Sequence, residues 1–297
     1  MDLHALLIEP FADNAFMRRA LVAGLALSFT SAPLGVLLVL RRLALLGDAL
    51  AHGILPGVAL GFMLAGGGSV LAMSFGGLAA GLGVALAAGV LARASAIGED
   101  AGLAGAYLTA LALGVAMVSA SGGRGGDLAH LLFGSVLAVD DTALLVIVGA
   151  AGLCLLVLAA GWRGFVLEAF DPGFMAATGS RPGRWQAAFL GLVVLNLVAA
   201  CQAVGTLMAV GLMLLPALAG HFWAAGLAGI VRAATAVAAL SVLAGLLVSF
   251  HLDVPSGPAI VLVAAAIWAA SMLAGPHGSL LARRRTLRAG QAGLRGG

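Results

Sequence analysis

Residues 20–40 read ALVAGLALSFTSAPLGVLLVL, and residues 41–52 continue as RRLALLGDALAH. The first run is about 20 residues without a charge, long enough as a helix to cross a hydrocarbon core. It ends in Arg41-Arg42 and not in a small-residue cleavage site, so it reads as a retained span. The second run enters another apolar segment carrying Asp48 and His52, and ionisable groups in such segments are costly and functional by default. Four residues apart, the two share one helix face about 6 Å apart along the axis, within reach of one divalent ion. They supply two ligands only. A symmetric dimer with this helix near its axis would supply two carboxylates and two imidazoles, a four-coordinate set. The other reading of the pair is an interhelical hydrogen-bonded couple without metal.

Composition agrees with a membrane setting. Of 297 residues, 62% are hydrophobic and 9% charged, against about 25% charged in a soluble domain. Apolar segments recur at 20–40, 49–66, 69–91, 102–121, 142–161, 185–201, 203–219, 228–250 and 257–274. The expectation is an all-α, polytopic helical bundle of nine spans. The sixth and seventh are short and abut near Cys201-Gln202, and a re-entrant arrangement there would reduce the count to eight. One transmembrane domain covers 1–297, with an interfacial segment 1–19, a cytoplasmic loop 162–184 and a basic tail 275–297.

Arg in short loops sets orientation. Arg163, Arg181 and Arg184 place the 162–184 loop inside, and Arg283, Arg284, Arg285, Arg288 and Arg295 place the tail there too. Counting back puts Arg93 and Arg41-Arg42 inside and the N-terminus outside. Arg18 and Arg19 then lie outside against the rule, either docking a partner or snorkelling to headgroups. The pI near 9.6 reflects these boundary arginines and does not indicate nucleic acid. All fifteen basic residues are Arg, so the chain has no Walker A lysine and nucleotide energy must come from another polypeptide. Cys154 and Cys201 fall in apolar segments and read as small hydrophobes. Gly57-x-x-x-Gly61 and Gly77-x-x-x-Gly81 permit close helix approach.

Pro56 lies four residues after His52 and lacks an N–H, so the His52 carbonyl loses its helical partner. The freed oxygen is either an added ligand or part of a simple kink. On the cytoplasmic side, Asp171 can cap, Pro172 can start and Gly179 can end a two-turn helix. Its Phe174 and Met175, expected to be exposed beside Ala176 and Ala177, suit a groove on another protein. Lipid headgroups are the rival resting place. Asp127 with His130, and His251 with Asp253, lie on the outer side as secondary candidates to meet an ion on entry. His4, His221 and His277 read as solvated. No hydrolase elbow, His-Glu-x-x-His or dinucleotide loop occurs.

With these residues placed, the chain resembles the membrane permease subunit of ABC-type importers for zinc, manganese or chelated iron, from about Phe16 to Leu273. The resemblance rests on Gly47 to His52 with Leu55-Pro56-Gly57, on Asp127 to Val139, and on Phe170 to Gly179. It also rests on Val204-Gly205-Thr206-Leu207 with Leu215-Pro216-Ala217, and on Pro255-Ser256-Gly257-Pro258. It implies a multi-pass protein of the bacterial cytoplasmic membrane that works as two permeases, two cytosolic ATPases and an extracytoplasmic metal-binding protein, with no permanently bound cofactor. By it, 162–184 is a coupling loop whose short helix docks on the ATPase, and Asp48 and His52 lie on the metal pathway. Arg18 and Arg19 stand where related cobalamin importers present arginines to their binding protein. Pro216-Ala217-Leu218-Ala219-Gly220 departs from the more usual Pro-Ala-Ala-Thr-Ala. The rival class is a secondary transporter driven by an ion gradient, with Asp48 as a proton-coupling carboxylate.

Overall fold

The computed structural model describes residues 8–67, 69–94, 99–120, 139–177 and 183–281. All regular structure among them is helical. In chain order these are α1 (Glu9–Asp13), α2 (Ala15–Leu40), α3 (Ala44–Gly53), α4 (Leu55–Leu64), α5 (Val70–Ala94) and α6 (Glu99–Ala120). There follow α7 (Asp141–Phe170), α8 (Pro172–Ala177), α9 (Arg184–Gly220), α10 (Leu227–Leu252) and α11 (Ser256–Ala274). Among the described residues, eight helical stretches are long and apolar enough to cross a membrane, with α3 and α4 counting as one, and Val204–Gly220 is a shorter apolar helix.

The bend between α3 and α4 comes from Pro56, which removes one helical donor. The Ile54 N–H donates to the Leu50 carbonyl at 3.1 Å, so helical bonding runs up to the bend. Behind the bend α4 lies against α5 at backbone contact. A Cβ on Gly57 would overlap the Gly76 carbonyl, and one on Gly61 the Ala72 carbonyl. Without a hydrophobic drive between helices in lipid, this close approach is what packs them.

The long α9 is two arms. Gln186 meets Arg41, while Met213 and Ala217 crowd Gly35. A straight helix would hold 186 and 217 about 46 Å apart, yet their partners on α2 are six residues apart, about 9 Å. The chain therefore reverses, and Gly205 does it with φ 81° and ψ 165°, a region open essentially to glycine alone. The break falls a few residues beyond the expected Cys201-Gln202 junction. The arms pack on α2, which is the most buried of the spanning helices at 72%. Thr30 Oγ1 donates to Asn196 Oδ1 (2.7 Å) and Asn196 Nδ2 donates to Ser31 Oγ (2.9 Å), so these buried polar groups on α2 and the first arm satisfy one another.

Two boundaries differ from expectation. Helix α7 runs to Phe170, where a loop was expected from 162, because Phe165 is buried and Trp162 and Val166 pack on the core, extending an apolar stripe at helical spacing. At the other end, α2 begins at Ala15, so Arg18 and Arg19 belong to its first turns and not to a separate interfacial segment.

Candidate metal pathway and coupling surface

The α2–α3 turn sets the site. Arg42 takes φ 59°, and the Leu43 N–H reaches back to the Leu38 carbonyl at 2.9 Å, which folds α3 against the C-terminal end of α2. Gly47 lies on the Met213 methyl group, fixing the buried side of α3. The opposite side carries Leu45, Asp48 and His52 on one face. His52 Nε2 stands 3.7 Å from Asp48 Oδ1, and the side chains are 36% and 56% exposed. That separation is too long for a hydrogen bond. It is near the roughly 3.4 Å between two ligand atoms on a tetrahedral ion with bonds of about 2.1 Å. A carboxylate this open cannot face hydrocarbon cheaply, so this face suits a water-filled path or a second chain. Among the described residues no third His, Cys, Asp or Glu joins the pair.

The other candidates are not brought to it. His251 and Asp253 are exposed at the end of α10, with the His251 ring edge-on to Phe250 at 5.5 Å. Val242 packs at Gly24 on α2, and nine further residues of α10 put His251 roughly 30 Å from the depth of Gly35 and Gly47. Asp127 and His130 lie outside the described residues, as do Gly179 and His4. His221 Nδ1 is bonded to the Ala217 carbonyl at 2.8 Å.

In the loop after α7, α8 forms as its sequence requires. Asp171 Oδ1 accepts from the Phe174 N–H at 2.9 Å, a side-chain cap, and Pro172 begins the helix. Phe174 is 53% exposed, but Met175 is only 7% exposed, which corrects the expectation that both project. A six-residue helix cannot stand alone; α8 packs on α7 with Met175 buried and Phe174 exposed. Ala177 is exposed, and the Ala176 side chain lies outside the described residues. Phe170, 63% exposed, continues the apolar surface.

At the start of α2, Arg19 Nη1 pairs with Asp141 Oδ1 at 3.0 Å, and Arg18 Nη1 donates to the Ala12 carbonyl at 2.6 Å.

One residue read only as a boundary marker proves to be a junction. Arg41 Nη2 donates to the Phe165 carbonyl at 3.0 Å, Nη1 donates to Gln186 Oε1, and the guanidinium sits 4.4 Å from the Phe189 ring centroid. Phe165 in turn meets Trp185 edge-on at 5.2 Å. Burial pulls the Arg41 pKa down and the Glu168 carboxylate pushes it back up; a guanidinium stays charged under both. The only sequence signal was its place in the Arg pair.

The family model of the ABC 3 transport family matches residues 13–275. The manganese transport system membrane protein MntC of Halalkalibacterium halodurans is 32% identical over 93% of this chain and 92% of its own. The chelated iron transport system membrane protein YfeD of Yersinia pestis is 31% identical over 91% of this chain and 89% of its own. The structure of PsaBC from Streptococcus pneumoniae in complex with Fab superposes with a TM-score of 0.84 at 27% identity, covering 96% of this chain and all of the matched chain.

Proposed function

The chain belongs to the ABC 3 transport family, and from that premise we infer that it is the multi-pass permease of an ATP-driven importer of a divalent transition metal in a bacterial cytoplasmic membrane. Relatives named for manganese and chelated iron transport support those two metals as cargo. Zinc fits the same Asp and His donors.

The observation that carries the site is the Asp48–His52 pair, open on one face at a depth where hydrocarbon cannot solvate a carboxylate. In our reading a second copy of the chain covers this face, and the two pairs together hold the ion in transit. Phe174, with Asp171, Pro172, Ala176, Ala177 and Gly179 shaping its helix, docks on a separate cytosolic ATPase; the lysine-free sequence supports hydrolysis by that partner. Arg18 and Arg19 face an extracytoplasmic metal-binding protein, and Asp127, His130, His251 and Asp253 serve ion entry.

Reconstitution separates this from secondary transport. Vesicles carrying the permease with its ATPase and binding protein should accumulate manganese only with ATP. Equal accumulation by the permease alone under an ion gradient would overturn the reading.

A further inference from the structure

The α8 surface and the Asp48–His52 pair are on different elements, and a path between them must pass through groups that touch both sides. Helix α8 is joined to α7 through Asp171 alone, and the chain after it returns to the membrane as α9 from Arg184. Any displacement of α8 therefore acts first on the inner ends of α7 and the first arm of α9. One guanidinium bonds to both of those ends, beside their own Phe165–Trp185 contact: Arg41 reaches the Phe165 carbonyl on α7 and both Gln186 and Phe189 on α9. Arg41 is also the residue that closes α2, seven positions before Asp48. The intervening turn is short and bonded back to Leu38, so a shift of Arg41 is delivered to α3 with little slack.

A second observation concerns the donor that this grip leaves over. Among the described residues, Arg41 Nε is buried without a hydrogen-bond partner. A guanidinium offers five donors, and a buried charged donor left unpaired is costly. The junction thus keeps one donor beyond those that bind α7 and α9.

We propose that Arg41 is a positioning residue that carries movement of the α8 surface to the Asp48–His52 helix. This rests on the permease reading above. Arg41 has no contact with the cargo in this account; it acts by coupling α7 and α9 to α3.

The test uses the complete complex, permease with its ATPase and binding protein, in vesicles with manganese(II) as the probe, and reads manganese accumulated per ATP hydrolysed. Arg41→Ala should lower that ratio about tenfold, the factor one charged hydrogen bond is worth, while co-purification and ATP hydrolysis persist. Arg41→Lys, which keeps the charge and one donor contact, should recover part of it. Gln186→Ala removes one contact from the far side and should lower the ratio by a smaller factor. An unchanged ratio in Arg41→Ala overturns the proposal. Should Arg41→Ala fail to assemble, Gln186→Ala decides: a reduced ratio upholds the junction, and a wild-type ratio overturns it. A wild-type complex that moves manganese without ATP would sink the permease reading instead, a result visible before any variant is made.

Discussion

His52 Nε2 and Asp48 Oδ1 stand 3.7 Å apart one turn along α3, on a face more than one-third open. The two groups neither bond one another nor lie against a third ligand among the described residues. Two such faces related by a two-fold axis would complete a four-ligand set.

Leu45, about one turn before Asp48 on the same face of α3, is 80% exposed. Residues meet their own copies only near the axis of a symmetric dimer. Leu45→Cys should therefore cross-link to its counterpart through a short bismaleimide, giving a covalent dimer on a denaturing gel. Cys154 and Cys201 are buried and should leave the wild type monomeric under the same treatment. No dimer from the variant would place the pair away from the axis.

The reversal at Gly205 makes a stability prediction. A Cβ at φ 81° and ψ 165° costs on the order of 1–3 kcal/mol. Gly205→Ala should lower the melting temperature of the solubilised protein. Gly149→Ala, where a Cβ meets open space, should leave it unchanged or raise it. Equal melting of the two variants would mean that the α9 arms are not joined by this strained turn.

Phe174 and Met175 are adjacent but face different neighbours, so their variants should part. Phe174→Ala should weaken ATPase co-purification with no loss of thermal stability. Met175→Ala should destabilise by removing a buried side chain, on the order of 2 kcal/mol or more. Asp171→Ala, which removes the α8 cap, should cost about 1 kcal/mol and weaken ATPase association. Retained association in Phe174→Ala would make this helix a resting place on headgroups.

Among the described residues, Arg19 is paired with Asp141 while Arg18 is bonded only to backbone, which alters what removal of each should do. Arg18→Ala should slow binding-protein association at low salt and flatten its salt dependence. Asp141→Ala unmasks Arg19 and should speed association if the partner surface is acidic. Stopped-flow rates at two ionic strengths check both; a rate indifferent to either change would assign the pair to membrane anchoring.

The helical segments were legible because hydropathy reports them directly, and Asp48 and His52 stood out because charge is rare in such segments. What sequence missed depended on contacts distant along the chain. Helix α7 continues to Phe170 since Phe165 finds a core on α9, beyond anything hydropathy of a span measures. Met175 looked equivalent to Phe174 until α7 covered it. Arg41 looked like a topology signal, and its partners lie 124 and 145 positions away. The break in α9 falls about one turn beyond the expected Cys201-Gln202 junction, because short abutting spans mark a reversal without saying which residue can adopt its backbone.

The most direct test is ATP-driven manganese uptake by vesicles carrying the complete complex with an Asp48→Asn/His52→Gln permease. Both donors are replaced by neutral side chains of similar size, so the fold and the α8 surface remain. The account predicts uptake reduced by roughly tenfold or more, since outer partners of metal ligands alone contribute that order, with the ATPase still bound. Wild-type uptake by this double variant would contradict it.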